Sequence, residues 1–112
     1  MDLRQDTARG VIVLDVAGRI DNTTAPALQE RLISVMGEPQ AKVLVDFSKL
    51  DYISSAGFRI LLFAAKQASQ TGCRFVLCGV TGRTRQVFDA AGFLELFSIA
   101  ATRDEGITTA AG

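Results

Sequence analysis

Two adjacent hydroxyls, Ser54 and Ser55, followed by Ala56 and Gly57, stand where an apolar segment gives way to a helical pattern. The stretch reads Asp46-Phe47-Ser48-Lys49-Leu50-Asp51-Tyr52-Ile53-Ser54-Ser55-Ala56-Gly57. The first turn of a helix leaves N–H groups unpaired and carries the positive end of the helix dipole. A serine there has two uses. Its hydroxyl caps the helix, stabilising it by about 1 kcal/mol, or it carries a phosphate whose charge of roughly −2 suits the same donors. Most serines at such positions only cap, so local chemistry alone favours the cap. Gly57 either packs closely under the loop or lets a partner's backbone approach. Phe58 is a core residue or an exposed partner anchor, and the burial expected of such a helix favours the core.

Other chemistries lack their parts. There is no histidine, which removes histidine-based acid–base catalysis, Ser-His-Asp triads and phosphohistidine relay. No Gly-x-x-x-x-Gly-Lys loop or Gly-x-Gly-x-x-Gly turn offers a nucleotide cradle. An enzyme built on Ser55 with Asp21, Asp46 or Asp51 is disfavoured, because nothing pairs those carboxylates at catalytic spacing. The expectation is a protein that is not an enzyme and holds no cofactor and no metal. Twelve Lys and Arg balance twelve Asp and Glu, and no basic stripe stands out, so neither nucleic acid nor an anionic membrane is an expected partner. The polar opening Met1-Asp2-Leu3-Arg4-Gln5-Asp6 lacks the apolar stretch of a secretory signal, which points to the cytoplasm. The longest apolar run, Ile60 to Ala65, is far too short to span a bilayer. Cys73 and Cys78 have an odd spacing in and beside a strand, which directs them to opposite faces as reduced, half-buried thiols.

The elements that must position Ser54 and Ser55 alternate. Asp2 to Thr7 reads as a weak strand and Val11 to Val16 as a strand covered on both faces. A polar loop over Arg19 to Thr24 leads into a helix capped by Thr23 or Thr24, with Pro26 in its first turn and Leu28, Leu32, Val35 and Met36 buried. Lys42 to Phe47 is the next strand, and Ser48 to Tyr52 a connection. A second helix runs from Ser54-Ser55 to Gln70, with Arg59 and Lys66 on its solvated side and Gly72 as its stop. Arg74 to Cys78 is a strand, and Gly82 to Ala91 a shorter helix burying Val87 and Phe88. Phe93, Leu94 and Leu96 to Ile99 return to the core, and a weak last helix follows Ala100. Short connections between alternating elements imply parallel strands, except that the first two are joined too tightly for a crossover and must be antiparallel. The expected fold is one α/β domain over residues 1–112, with a mixed four- or five-stranded sheet and about four helices.

The twelve residues from Asp46 to Gly57 resemble the signature of the STAS family, in which Asp-Phe-Ser and an aromatic precede Asp-Ser-Ser-Gly or a close variant. Gly18-Arg19-Ile20-Asp21 is similar to that family's Gly-x-Leu-Asp loop. Gly72 to Cys78 and Val87 to Phe93 resemble its later strand and helix. The resemblance implies a bacterial anti-sigma factor antagonist. In such proteins the serine matching Ser55 is phosphorylated by a partner serine kinase that is itself the anti-sigma factor. The unphosphorylated form binds that kinase, phosphorylation breaks the complex, and a metal-dependent serine phosphatase resets it. The residue matching Asp21 lies by the phosphoserine and helps the kinase engage. On this reading Asp21, Ser54, Ser55, Gly57 and Phe58 form the partner-binding site.

Two departures from the family pattern matter. The usual Asp before the phosphorylated serine is Ser54 here, which makes Ser54 a competing phosphoacceptor. The usual Leu-Gly after the glycine is Phe58-Arg59. A rival reading with the same fold is an unphosphorylated structural module, such as the STAS subunit of a lipid-transport ATPase complex, with the serine serving only as cap or contact.

Overall fold

Val11, Val13, Leu14 and Val16 are all fully buried, because the strand that carries them has neighbours on both edges and helices on both faces. The computed structural model describes residues 1–92 and 94–112. Strands β1 (Asp2–Ala8) and β2 (Val11–Ile20) form an antiparallel hairpin with Asp2 opposite Ala17 and Ala8 opposite Val11. Helix α1 (Ala25–Val35) leads to β3 (Lys42–Asp46), and β4 (Leu50–Ile53) runs into α2 (Ser55–Thr71). Strand β5 (Arg74–Cys78), helix α3 (Gly82–Ala90), a 3-10 turn (Leu94–Leu96), strand β6 (Ser98–Ala100) and helix α4 (Arg103–Ala111) complete the order. The strands lie in the sequence β1-β2-β3-β5-β6, with β4 paired to β2, and every pairing but the first is parallel.

The expected mixed α/β sheet, antiparallel opening pair and four helices are all present, with a sixth strand added. Ser48 to Tyr52, read as a mere connection, holds most of β4, which runs on to Ile53. The reading of β2 as ending at Val16 is corrected for the same reason: after a register shift between Gly18 and Arg19, β2 continues to Ile20 alongside β4. Gly18 has φ +87°, the left-handed region that suits glycine at such an irregularity.

Alternation along the strands divides the core. Leu14, Val16, Val43, Val45, Phe75 and Leu77 pack with α1, α2 and α3 on one face. Val11, Val13, Leu44, Val76 and Cys78 pack on the other, with Ala110 of α4. Cys73 belongs to the first face and Cys78 to the second, and both are free thiols, buried rather than half-buried. In α3 the expectation for Val87 is corrected: Phe88 is fully buried beside Thr84, whereas Val87 is 42% exposed. Phe97 is buried while Leu96 is exposed, and the expectation for Phe93 lies outside the described residues. Gly106, which reads as a helix weakener, is where α4 approaches the sheet; a Cβ there would meet the Leu44 side chain at 2.7 Å.

Gly79 fixes the end of β5 against the turn that leaves β3. Its φ is +69°, and an added Cβ would lie 2.5 Å from the Ser48 nitrogen and 2.8 Å from Asp46 Oδ1. Backbone strain and a clash with main chain act together here, so Gly79→Ala should destabilise the fold by about 2 kcal/mol or more. Urea unfolding checks this, and an unchanged midpoint would contradict the close packing.

Candidate functional site

The loops that follow β2 and β4 emerge side by side. Because the two strands are parallel and in register at Ile20 and Ile53, the Ser54 N–H donates to the Ile20 carbonyl at 2.8 Å. Asp21 and Ser54 are therefore the next residues on two chains that are bonded to each other. The structure brings together the two parts of the site that the sequence separates by more than thirty positions.

Ser54 is the N-cap of α2. Its backbone is extended (φ −86°, ψ 172°), and its Oγ accepts a hydrogen bond from the Gly57 N–H at 3.3 Å. Ser55 is the first helical residue and is exposed. Among the described residues its hydroxyl makes no side-chain hydrogen bond. One hydroxyl of the pair is thus engaged and partly covered, and the other is open to solvent.

Asp21 organises the loop before α1. Its Oδ1 accepts from the Thr23 hydroxyl at 2.7 Å, the Thr23 N–H at 3.0 Å, the Thr24 N–H at 3.1 Å and the Thr24 hydroxyl at 3.3 Å. The hydroxyl of Thr23, then its N–H, and then the Thr24 groups hold the carboxyl below its ordinary value of 3.8, against a smaller opposing effect of burial. Thr24 stands at the N-cap position of α1, but its side chain makes no capping bond there. Its hydroxyl shares one proton between the Arg19 carbonyl at 3.0 Å and Asp21 Oδ1, and accepts from the Asp21 N–H at 2.9 Å.

Gly57 and Phe58 are buried, in keeping with the close-packing reading of the first and the core reading of the second. Gly57 is buried, and a Cβ on it would stand 2.7 Å from both Ile20 and Ile53. Its smallness lets α2 settle onto the ends of β2 and β4. Phe58 is 6% exposed and packs edge-on against Phe88 with ring centroids 4.6 Å apart. Both residues shape the platform from below.

Three features escaped the reading of the sequence. Arg19 and Tyr52 are cross-strand partners, and the guanidinium sits 4.3 Å from the ring centroid. Arg59, assigned only to a solvated face, lines a surface cavity of about 540 Å3 together with Tyr52, Ser54, Ser55 and Phe58; its place four residues after Ser55 was the available signal. Asp46, 6% exposed, joins the opposite face of the sheet to the turn before β4. Its Oδ1 accepts from the Ser48 N–H at 2.9 Å, and its Oδ2 pairs at 3.2 Å with Arg103, which also bonds Asp15. Burial, reinforced by Asp46, pushes the neighbouring Cys78 thiol up to about 12. That thiol stays protonated near neutral pH and is no nucleophile. A separate groove of about 370 Å3 between α1 and α2, lined by Leu32, Met36, Phe63 and other uncharged residues, contains none of the site residues.

The loop geometry makes a prediction with a definite sign. Asp21→Asn keeps an acceptor oxygen and should leave the melting temperature nearly unchanged, whereas Asp21→Ala should lower it by a few degrees. Because the folded carboxyl titrates below its unfolded value, its contribution is complete above that value and is lost as the pH falls through the folded one. The difference between wild type and Asp21→Ala, followed by thermal unfolding, should therefore shrink below about pH 4. A difference that persists unchanged in acid would contradict the role given to the charged carboxylate.

Known proteins align with this architecture over nearly its whole length. The sequence profile of the STAS domain matches residues 3–106. BtrV of Bordetella bronchiseptica, assigned as an anti-sigma factor antagonist, is 35% identical over 104 residues, which cover 93% of this chain and 90% of BtrV. The anti-sigma-F factor antagonist RsfB of Mycobacterium tuberculosis is 29% identical over 92% of this chain and 84% of its own. The crystal structure of an anti-sigma factor antagonist from Mycobacterium paratuberculosis superposes with a TM-score of 0.82 at 26% identity, covering 99% of this chain and 94% of that one. These relatives are named for an antagonism, which is a binding activity, rather than for a catalysed reaction. The chain belongs to the STAS domain family, and within it to the group of anti-sigma factor antagonists.

Proposed function

We propose that this chain is a cytoplasmic, phosphorylation-switched antagonist of an anti-sigma factor, working as one STAS domain over residues 1–112, and that Ser55 is its phosphoacceptor. The observation that carries the assignment is the division of labour between the two serines. Ser54 Oγ is occupied by the Gly57 N–H, while Ser55 is exposed at the first position of α2. Phosphorylating Ser54 would break a cap; phosphorylating Ser55 would not.

In this reading the partner is a serine kinase that is itself the anti-sigma factor, and it docks on Ser55 and the Asp21 loop. The names of the relatives support an anti-sigma partner. The kinase transfers a phosphoryl group from its nucleotide: the bond to Ser55 Oγ forms as the bond to the nucleoside diphosphate breaks, and the hydroxyl proton passes to a base of the kinase. The product carries a charge of roughly −2 where a neutral hydroxyl had stood. At the interface that charge must be desolvated or matched, and it repels the carboxylate of Asp21. Two such charges a few ångströms apart repel by about 1 kcal/mol or more even at water's dielectric constant. With the added bulk, a loss of about 3 kcal/mol weakens binding by roughly a hundredfold. No large conformational change is needed, and hydrolysis by a metal-dependent serine phosphatase restores the binding form. No helix among the described residues is long and apolar enough to cross a membrane.

The test uses the cognate kinase, phosphopeptide mapping and a binding assay. Ser55→Ala should bind the kinase constitutively and accept no phosphate, and Ser55→Asp should bind at least about tenfold more weakly. Ser54→Ala should remain switchable while losing about 1 kcal/mol of stability with its cap. Phosphate on Ser54 alone would reverse the assignment, and a phosphorylated protein that still binds with full affinity would refute the switch.

A further inference from the structure

We infer that Arg59 is the intramolecular partner of a phosphate on Ser55, an inference that rests on the proposed phosphoacceptor. Ser55 opens α2 and Arg59 follows it by four residues, so the two side chains are neighbours on one helix face, with Cβ atoms about 5–6 Å apart. Both residues are exposed, and both line the cavity beside Tyr52. Arg59 also lines the recess on the other flank, with Asn22 and Ala56. Arg59 thus lines the surface on both flanks of the first turn of α2.

Among the described residues Arg59 makes no ion pair and no side-chain hydrogen bond. Arg103 bonds Asp15 and Asp46, and Arg19 stacks on Tyr52. The first turn of α2 contains no acidic residue to balance Arg59. Helical side chains lean towards the N-terminus of their helix, which carries the guanidinium back over the turn that begins with Ser55. A planar guanidinium matches phosphate oxygens with two parallel N–H donors, which a lysine at this place would not do.

The consequence bears on release. A phosphate bound in cis by Arg59 has about half its charge matched on the antagonist's own surface and keeps the rest to repel Asp21, so the free phosphorylated form is favoured over any complex that would have to strip the pair apart. Arg59 is then a binding residue for the modified state and silent in the unmodified one.

The experiment installs phosphoserine at position 55 during translation, without any kinase, and follows its second ionisation by 31P NMR titration. In the wild-type chain this ionisation should lie below that of the same phosphoprotein carrying Arg59→Gln by about half a pH unit. The variant should titrate nearer the ordinary value of about 6. Arg59→Lys should fall between them, and the unphosphorylated Arg59→Gln protein should melt with the wild type. Identical titrations with and without Arg59 would overturn the pairing. Because no kinase is involved, that result would sink the pairing alone, whereas a kinase that leaves Ser55 unmodified would sink the switch alone.

Discussion

The hydrogen bond from the Ser54 N–H to the Ile20 carbonyl, 2.8 Å long, ties the end of one parallel strand to the start of the helix that follows another. Most of what the site does depends on it. On one side of the bond lies the Asp21 turn, held by four acceptances at a single carboxylate oxygen. On the other lies the cap of α2, closed by Ser54 onto Gly57. The bond sets the Asp21 carboxylate of one loop beside the exposed Ser55 helix start of the other. Beneath the joint, Gly57 has no side chain because Ile20 and Ile53 occupy the space where one would be. A site made this way is rigid before any partner arrives, which suits a switch that works by adding charge rather than by moving elements.

A second anchor works from the opposite face of the sheet. Asp46 ends β3 and is buried, yet it is fully engaged, with one oxygen holding the Ser48 N–H and the other the Arg103 guanidinium. Breaking a buried pair of this sort leaves an uncompensated charge, which is far costlier than never having had the pair. The hydrogen bond to Asp15 is the main reason that Arg103 holds its proton even more firmly than an ordinary arginine. Through Asp46 the turn that feeds β4, and so the serines, is braced by the last helix of the chain.

The parts of this arrangement that were legible in the sequence are those set by local chemistry. A hydroxyl pair before an apolar periodic segment marks a helix start, and Gly72, at φ +76°, marks its end; α2 begins and ends accordingly. The apolar strands and the tight first hairpin were legible for the same reason. What escaped is non-local. Leu50–Ile53 has two exposed residues and becomes a strand only because β2 continues past Gly18 to meet it. Thr84 is buried in place of Val87 because the short α3 orients itself on Phe88, which packs edge-on to Phe58 and tilted against Phe97. Gly106 looked like a weakness in a marginal helix, whereas its missing side chain is what lets α4 reach Leu44. Gly57 left two uses open, and its distances to Ile20 and Ile53 support the close-packing one. Asp21 and the serine pair were legible as candidates from motif and helix-start chemistry, whereas only packing distances show that Gly57 and Phe58 are buried beneath them, with Phe58 also lining the cavity beside Ser55.

The central claim is that a covalent phosphate belongs on the exposed serine and not on its capping neighbour. Mass spectrometry of the protein purified from its native cell, with fragmentation that separates the two positions, tests this most directly. The account predicts a population carrying one phosphate, located on Ser55, with Ser54 unmodified. A phosphate on Ser54 with none on Ser55, or no phosphate under any growth condition, would contradict it.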